Sequence, residues 1–429
     1  MNIVNGWKQI FSREWLSENY PWLLIVMTFA FLSRKALFNA PILIMALGGC
    51  WLLYKRKDVI RSLPAFRYMI LFFMCLWLPM VLALPDAVSS RAFGSAARFI
   101  AYPLMAAFVI FHLSKTARFQ QAVYYGVCAV LIFFCVDALV QYLVGFNFFG
   151  FPYNGHHVNG MAYPHLGLGL VLAPMSPLLF EFVRRHAIRY KLVWLVLPLI
   201  IMVVILSSSR TAWFMLAVSM FIFAIYMLRF YQWKTILKLS VIAIVLLSVL
   251  GYVAYNTNQI RPRIDRTLLL FQGDYESIDE ASSRRLSLWR TAWNIGSRNL
   301  TNGIGVRGFR KVYAQYAEKD DFWTNLPEFS KTGGTQTHPH QTGLEIFAET
   351  GLPGVIGLLL FWFLIFKVLR NIRPECAQDV VPWLIVLMVA VNPLNVHMAF
   401  YGSIWSTVVM MAMITGLAIA SGKFKSDAK

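Results

Sequence analysis

Long apolar runs separated by short basic connectors set the pattern of this chain. The runs predict membrane-spanning helices at residues 20–34, 37–54, 66–85, 96–114, 119–146, 161–183, 191–208, 211–229, 236–255, 352–369, 380–397 and 402–420. About 20 apolar residues cross the roughly 30 Å hydrocarbon core, and most of these runs approach that length. The first two are the shortest case, because Arg34 and Lys35 stand between them. The pattern therefore predicts an all-α integral membrane protein with about twelve transmembrane helices, read as one polytopic domain over residues 1–429.

The connectors orient the bundle. Lys55, Arg56, Lys57, Arg61 and Arg67 follow the second run, Arg184, Arg185, Arg189 and Lys191 the sixth, and Lys367, Arg370 and Arg373 the tenth. With an even number of spans these all fall on one side, together with both termini, and the positive-inside rule makes that side cytoplasmic. The long polar stretch 256–341, between the ninth and tenth runs, then faces outward. Within it, RRLSLWRTAWNIGSRNL at 284–300 has the apolar spacing of an amphipathic helix lying on the membrane surface or against the bundle. Gly303, Gly305 and Gly308 mark a turn, and Gly333 with Gly334 a hinge before the histidines. The stretch reads as a structured cap.

Composition agrees with this picture. Hydrophobic residues make up 58% of 429 and charged residues only 14%, about half the share usual in soluble domains. The first twenty residues carry Lys8, Arg13, Glu14 and Glu18 without an apolar centre, so no cleavable signal peptide is expected. Cys50, Cys75, Cys128, Cys135 and Cys376 form no close-spaced ligand pair, against a disulfide framework or a cysteine zinc site. The net charge of +19 has a plain source. Of the 39 Lys and Arg residues, 22 lie in cytoplasmic connectors and tails, where they set topology, so a nucleic-acid partner is not expected. The outward remainder is more informative: twelve basic residues lie between Arg261 and Lys331, and Arg91, Arg98 and Arg210 end spans on that side.

Four features carry candidate chemistry. In THPHQTGLEIFAETGLPG, from residue 337, His338 and His340 precede Glu345 and Glu349, which share one helix face. Histidine titrates near neutrality and can take a proton from a hydroxyl, while either glutamate could orient it or hold an acceptor. The alternatives are a loop histidine capping a helix, or a metal site completed by His156 and His157. LSSSRTAW at 206–213 offers Ser209 and Arg210 to phosphate oxygens, or a boundary arginine to lipid headgroups. Arg284 and Arg285 open the cap helix over the same face, where two or three arginines could hold a diphosphate without a metal, or simply be solvated at the surface. Finally, FGFPYNGHHVNGMAYPHLG at 149–167 combines aromatics, amides and histidines, suited to sugars or to an interfacial aromatic belt; its His165, after Pro164, can serve a kink.

The run from His340 and Gln341 through nine residues to Gly351 and Gly354 resembles the histidine motif of the O-antigen ligase and polymerase superfamily. SSSR at 207–210 resembles that family's outward arginine segment, and RRLSLWRTAW with NGIGVRGF at 302–309 its Arg-Leu-x-x-Trp segment and glycine turn. Gln341 stands where Asn is commoner, and Asn302 where a proline is usual. The resemblance implies a bacterial inner-membrane glycosyltransferase of the GT-C type, with a large structured periplasmic loop between helices 9 and 10. It implies O-antigen ligase activity: transfer of a glycan from undecaprenyl pyrophosphate to a sugar hydroxyl of lipid A-core, with no cofactor and no metal. His340, with His338, would be the base; Arg210, Arg285, Arg284 and Arg91 would bind pyrophosphate; Glu345 and Ser209 would orient substrate. Membrane lipid is the remaining partner, and oligomeric state is left open. An O-antigen polymerase and a protein O-oligosaccharyltransferase share the motif. A glycan flippase or transporter would lean on Asp137, the clearest charge deep in a run.

Overall fold

The computed structural model describes residues 13–32, 35–162, 167–256, 261–326, 338–395 and 398–424. The readings of residues 1–12, of Pro164 with His165, of Lys331 and of Gly333–Gly334 lie outside the described residues. Nearly all the ordered structure is helix; two isolated β-bridges, Phe146 with Pro152 and Ile372 with Phe424, are the exceptions among the described residues.

The chain begins with α1 (Arg13–Ala30), α2 (Lys35–Lys55), α3 (Pro64–Leu82), α4 (Arg91–Phe99) and α5 (Ala101–Leu113). It continues with α6 (Ala117–Val144), α7 (Leu168–His186), α8 (Val196–Leu206), α9 (Arg210–Met227) and α10 (Trp233–Tyr255). The cap holds α11 (Arg261–Leu268), α12 (Tyr275–Ala281), α13 (Arg285–Arg298) and α14 (Phe309–Tyr316). The chain then re-enters the bundle through α15 (Thr342–Asn371), α16 (Ala377–Ala390) and α17 (Ser403–Ala420). A helix stands at each of the twelve predicted runs, and among the described residues seven helices are long and apolar enough to cross a membrane by length and composition. Others fall short for readable reasons. Helix α1 includes Arg13, Glu14 and Glu18, α7 ends on Glu181, Arg184 and Arg185, and α16 has only 14 residues.

Local chemistry sets the ends. The Thr116 hydroxyl accepts the Phe119 N–H at 3.3 Å to start α6, and Gly145, at φ 91°, closes it. Inside the bundle, small residues let backbones touch: a Cβ on Gly49 would sit 1.7 Å from the Leu104 carbonyl of α5, and one on Gly357 2.1 Å from the Cys75 carbonyl of α3. Helix α17 lies innermost, with Trp405, Met410 and Ile414 buried. The Tyr102 hydroxyl joins it to α5 through Ser406 at 3.0 Å and Thr407 at 3.1 Å. At the end of the bundle away from the cap, buried Glu181 pairs with Arg184 at 2.6 Å and Arg185 at 2.7 Å.

Asp137 has a structural task. Its carboxylate accepts from the Asn147 amide at 3.0 Å and the Phe148 N–H at 3.1 Å, and Gln141 one turn on accepts from Asn159 and Gly160. These bonds fold the 145–162 connector back onto α6. The charge that a transport reading would need is thus bound within the fold.

Candidate functional site

The arginine side of the site is built where α9 begins. Ser208 sits in the left-handed region at φ 54°, which turns the chain so that Ser209 caps α9 and accepts the Ala212 N–H at 3.4 Å. Arg210 is then the first helical residue. Its guanidinium reaches the cap, donating to the Ser283 hydroxyl at 2.5 Å, to the Ala281 carbonyl, and to Thr267 at 3.4 Å. The cap meets it with a second left-handed turn, Ser283 at φ 67° and Arg284 at φ 59°. Buried Asp279 organises that turn by accepting the Leu286 N–H at 3.0 Å and pairing with Arg284 at 3.5 Å.

Arg285 follows at the head of α13, half-buried. Burial first, and then the neighbouring Arg210 charge, push its guanidinium down to about 10. Arg263 and Arg266 of α11 lie within electrostatic range of Arg210 as well. The connector 145–162 adds His157, whose Nε2 lies 3.4 Å from Arg263. Burial, and then Arg263, hold that imidazole below its ordinary value, against a hydrogen bond to the Ser207 backbone that works the other way. The result is a set of arginines from two elements of the cap and the start of one span, a donor-rich place for an anion with several oxygens.

The histidine side precedes α15. The rings of His338 and His340 lie 3.9 Å apart, tilted by 40°, with His338 buried and His340 half-buried at φ 56°. Gln341 caps α15: its side chain accepts the Leu344 N–H and donates to the Pro393 carbonyl at 2.9 Å. The N–H groups of Thr342 and Gly343 reach Asn395 and Pro393 at 3.0 and 3.1 Å, so the segment before α17 clasps the start of α15. Glu345, 1% exposed, accepts the Phe400 N–H at 2.8 Å and completes that clasp. Glu349 accepts the N–H groups of Arg307 and Phe309 and so holds the glycine turn; its Oε2 has no hydrogen-bond partner among the described residues.

The two sides are joined by α13 packing along the first turns of α15. Leu344 packs on the cluster that contains Leu288, Ala292 and Ile295, the Trp293 and Phe347 rings are 5.3 Å apart, and a Cβ on Gly296 would strike Phe347. Further on, Ile304 N–H donates to Ala348 at 3.2 Å and Leu352 N–H to Leu300 at 2.8 Å. The pairings advance in the same direction along both helices. The heads of both, bearing Arg285 and the segment that ends on His340, therefore lie at one end. The apolar face predicted for 284–300 is used against α15.

Other candidates fall elsewhere. Arg284 turns away from Arg210 and Arg285, because its guanidinium is taken by Asp279, by Glu276 at 3.8 Å and by Glu280 at 3.9 Å. The sequence placed it with the pyrophosphate arginines; its contacts make it an anchor of the turn. Arg91 is exposed at the start of α4, and Ser209 and Glu345 act on backbone N–H groups. Among the described residues no group of three His, Cys, Asp or Glu side chains lies close enough to hold a metal ion, so His338, His340, His156 and His157 do not assemble as one. Sequence reasoning passed over Arg263 and Arg266, although their spacing of three within RPRIDR puts them on one helix face. It also passed over Arg307, left-handed at φ 65° and in electrostatic range of Glu345 and Glu349.

No curated protein matches this chain. Residues 195–359, however, match the family model described as O-antigen ligase. The matched stretch runs from the start of α8 to the first half of α15, and holds Arg210, Arg285, His338, His340, Gly351 and Gly354. Over this stretch, which is less than half of its length, the chain is similar to the O-antigen ligase family.

Proposed function

We propose that this protein transfers an O-antigen glycan from undecaprenyl pyrophosphate to a sugar hydroxyl of lipid A-core, inverting the anomeric carbon without a metal. In this reading it is an inner-membrane glycosyltransferase of the GT-C type with twelve crossings, working at the periplasmic face beneath the 256–341 cap. The acceptor oxygen attacks the anomeric carbon while His340 takes its proton, and His338, in ring contact, supports that imidazole. The bond from the anomeric carbon to the pyrophosphate oxygen breaks with its electron pair. Arg210 and Arg285 hold the departing diphosphate and stabilise the charge that grows on it, each charge-assisted contact contributing about 1.5–3 kcal/mol. Glu345 and Ser209 position the two helix heads, Arg284 anchors the turn before Arg285, and Arg91 is an outer contact for the diphosphate.

One observation supports the reading: Arg210, at the head of α9, and Arg285, at the head of α13, share a half-buried place with no carboxylate in ion-pair contact among the described residues, and α13 packs along the first turns of α15, which the histidines precede. Like charges gathered this way favour a multivalent anion. The test uses the purified full-length protein with undecaprenyl pyrophosphate-linked glycan and lipid A-core. Glycosylated lipid A-core is expected, and its loss in His340→Ala and in Arg210→Ala. Extension of the lipid-linked chain instead would assign the polymerase reaction of the same superfamily.

A further inference from the structure

We propose that the cap carries a glycan-binding subsite beside the arginine set, taking uncharged or amine-bearing sugars of the donor chain and excluding phosphate. The inference rests on the reading above and extends it to the part of the donor that does not react. A cavity of about 450 Å³ opens between α12, the head of α13 and residues 318–326, walled by Tyr275, Glu276, Ser287, Asp320, Phe322 and Asn325 among others. Its volume lies within the roughly 300–1,000 Å³ of small-molecule sites.

The walls state what the cavity accepts. Five carboxylates and two arginines face it, so in a chain of net charge +19 the sign is locally reversed. Both arginines are already occupied, Arg290 by Glu318 at 2.7 Å and Arg284 by Asp279 at 3.5 Å. Asp321 is occupied too, accepting the Tyr313 hydroxyl at 2.8 Å and the N–H groups of Trp323 and Thr324. What is left toward the cavity is the Asp320 carboxylate, the Glu276 carboxylate that shares Arg284 at 3.8 Å, the Ser287 hydroxyl, the Asn325 amide oxygen and the 36% exposed Phe322 ring. A phosphate is repelled by that charge. Carboxylates alone would not define a ligand; acceptors for several hydroxyl donors beside an exposed ring and within a half-open cavity fit a sugar, which offers hydroxyls at its edge and C–H groups on its face.

Position gives the subsite its use. Arg284 walls the cavity and Arg285, the next residue, belongs to the arginine set, with consecutive Cα atoms about 3.8 Å apart. The same Asp279 that shapes this turn also lines the cavity. A glycan leaving the diphosphate on one side of the turn meets the cavity on the other.

The experiment measures binding of two probes to the full-length protein in lipid nanodiscs: undecaprenyl pyrophosphate bearing a short neutral glycan, and undecaprenyl pyrophosphate alone. Wild type is expected to bind the glycan-bearing probe more tightly. Asp320→Asn and Phe322→Ala are each expected to weaken that probe about tenfold and leave the bare carrier unchanged; the exposed Asp320→Asn change guards against misfolding from loss of the Phe322 ring. Equal weakening of both probes, or no weakening of the glycan-bearing one, overturns the subsite. Equal binding of the two probes by wild type overturns it while leaving the transferase reading standing, and binding of neither probe overturns both.

Discussion

The guanidinium of Arg210, on the first turn of α9, donates to the Ser283 hydroxyl at 2.5 Å and ties that helix to the cap turn that presents Arg285. Ser283→Ala removes the tie and keeps both arginines. A hydrogen bond to a charged group contributes about 1.5 kcal/mol or more, so roughly a tenfold fall in kcat/KM for the lipid-linked donor is expected, carried mainly by KM. Unchanged donor kinetics would show that Arg210 is placed without the serine.

Arg285 is charged at neutral pH although burial and Arg210 push it down to about 10. Donor binding is therefore expected to hold up to about pH 9 and to weaken as pH rises through 10. Stability moves the opposite way. The folded-state value lies below the unfolded one, so the unfolded chain holds more protons above pH 10, and folding gains as pH rises from there towards the ordinary arginine value. Arg285→Ala should remove the alkaline fall and lower donor affinity at pH 7.5 by about 10- to 100-fold, with Arg285→Lys between the two. An alkaline fall that persists in Arg285→Ala would assign it to another group.

His340 holds a left-handed backbone at φ 56°, which costs a residue with a Cβ about 1 kcal/mol or more. His340→Gly should therefore melt at or slightly above the wild-type temperature, while His340→Ala melts no higher than wild type. Both should lose transfer. Thermal unfolding in detergent beside the transfer assay separates the backbone from the imidazole, and activity retained in either variant would move the base to His338.

Much of this arrangement was legible in the chain. Apolar runs gave the helices because a lipid-facing helix must be apolar along its length, and the tenth run was read from residue 352, the residue after the break in α15. The 3.6 period put Glu345 and Glu349 on one face. Their partners were not legible: Phe400 lies 55 residues from Glu345, and Arg307 and Phe309 come from the cap. Arg284 and Arg285 are alike in sequence, and only the turn set by Asp279 decides that one pairs with carboxylates and the other faces Arg210. Five non-glycine residues among those described have positive φ, namely Ser208, Ser283, Arg284, Arg307 and His340, all in or beside the site segments. Local propensity opposes each of them, so tertiary contacts had to impose them.

Gly351 breaks α15 at φ 61° and ψ −155°, and a Cβ there would lie 2.5 Å from the Leu300 carbonyl. Gly351→Ala meets both the backbone strain and the clash, and is expected to destabilise the protein by about 3 kcal/mol or more. Thermal unfolding of the purified variant checks this; a melting temperature equal to wild type would mean the break is not needed.

The same break divides labour along α15. The turns before it are bolted to the cap through Ala348 and Glu349, whereas the turns after it pack on α3 in the bundle. His340 thus precedes the part of α15 that is joined to the cap, the same cap that carries Arg285. Gly351 is therefore the boundary in α15 between a cap-bound part and a bundle-bound part.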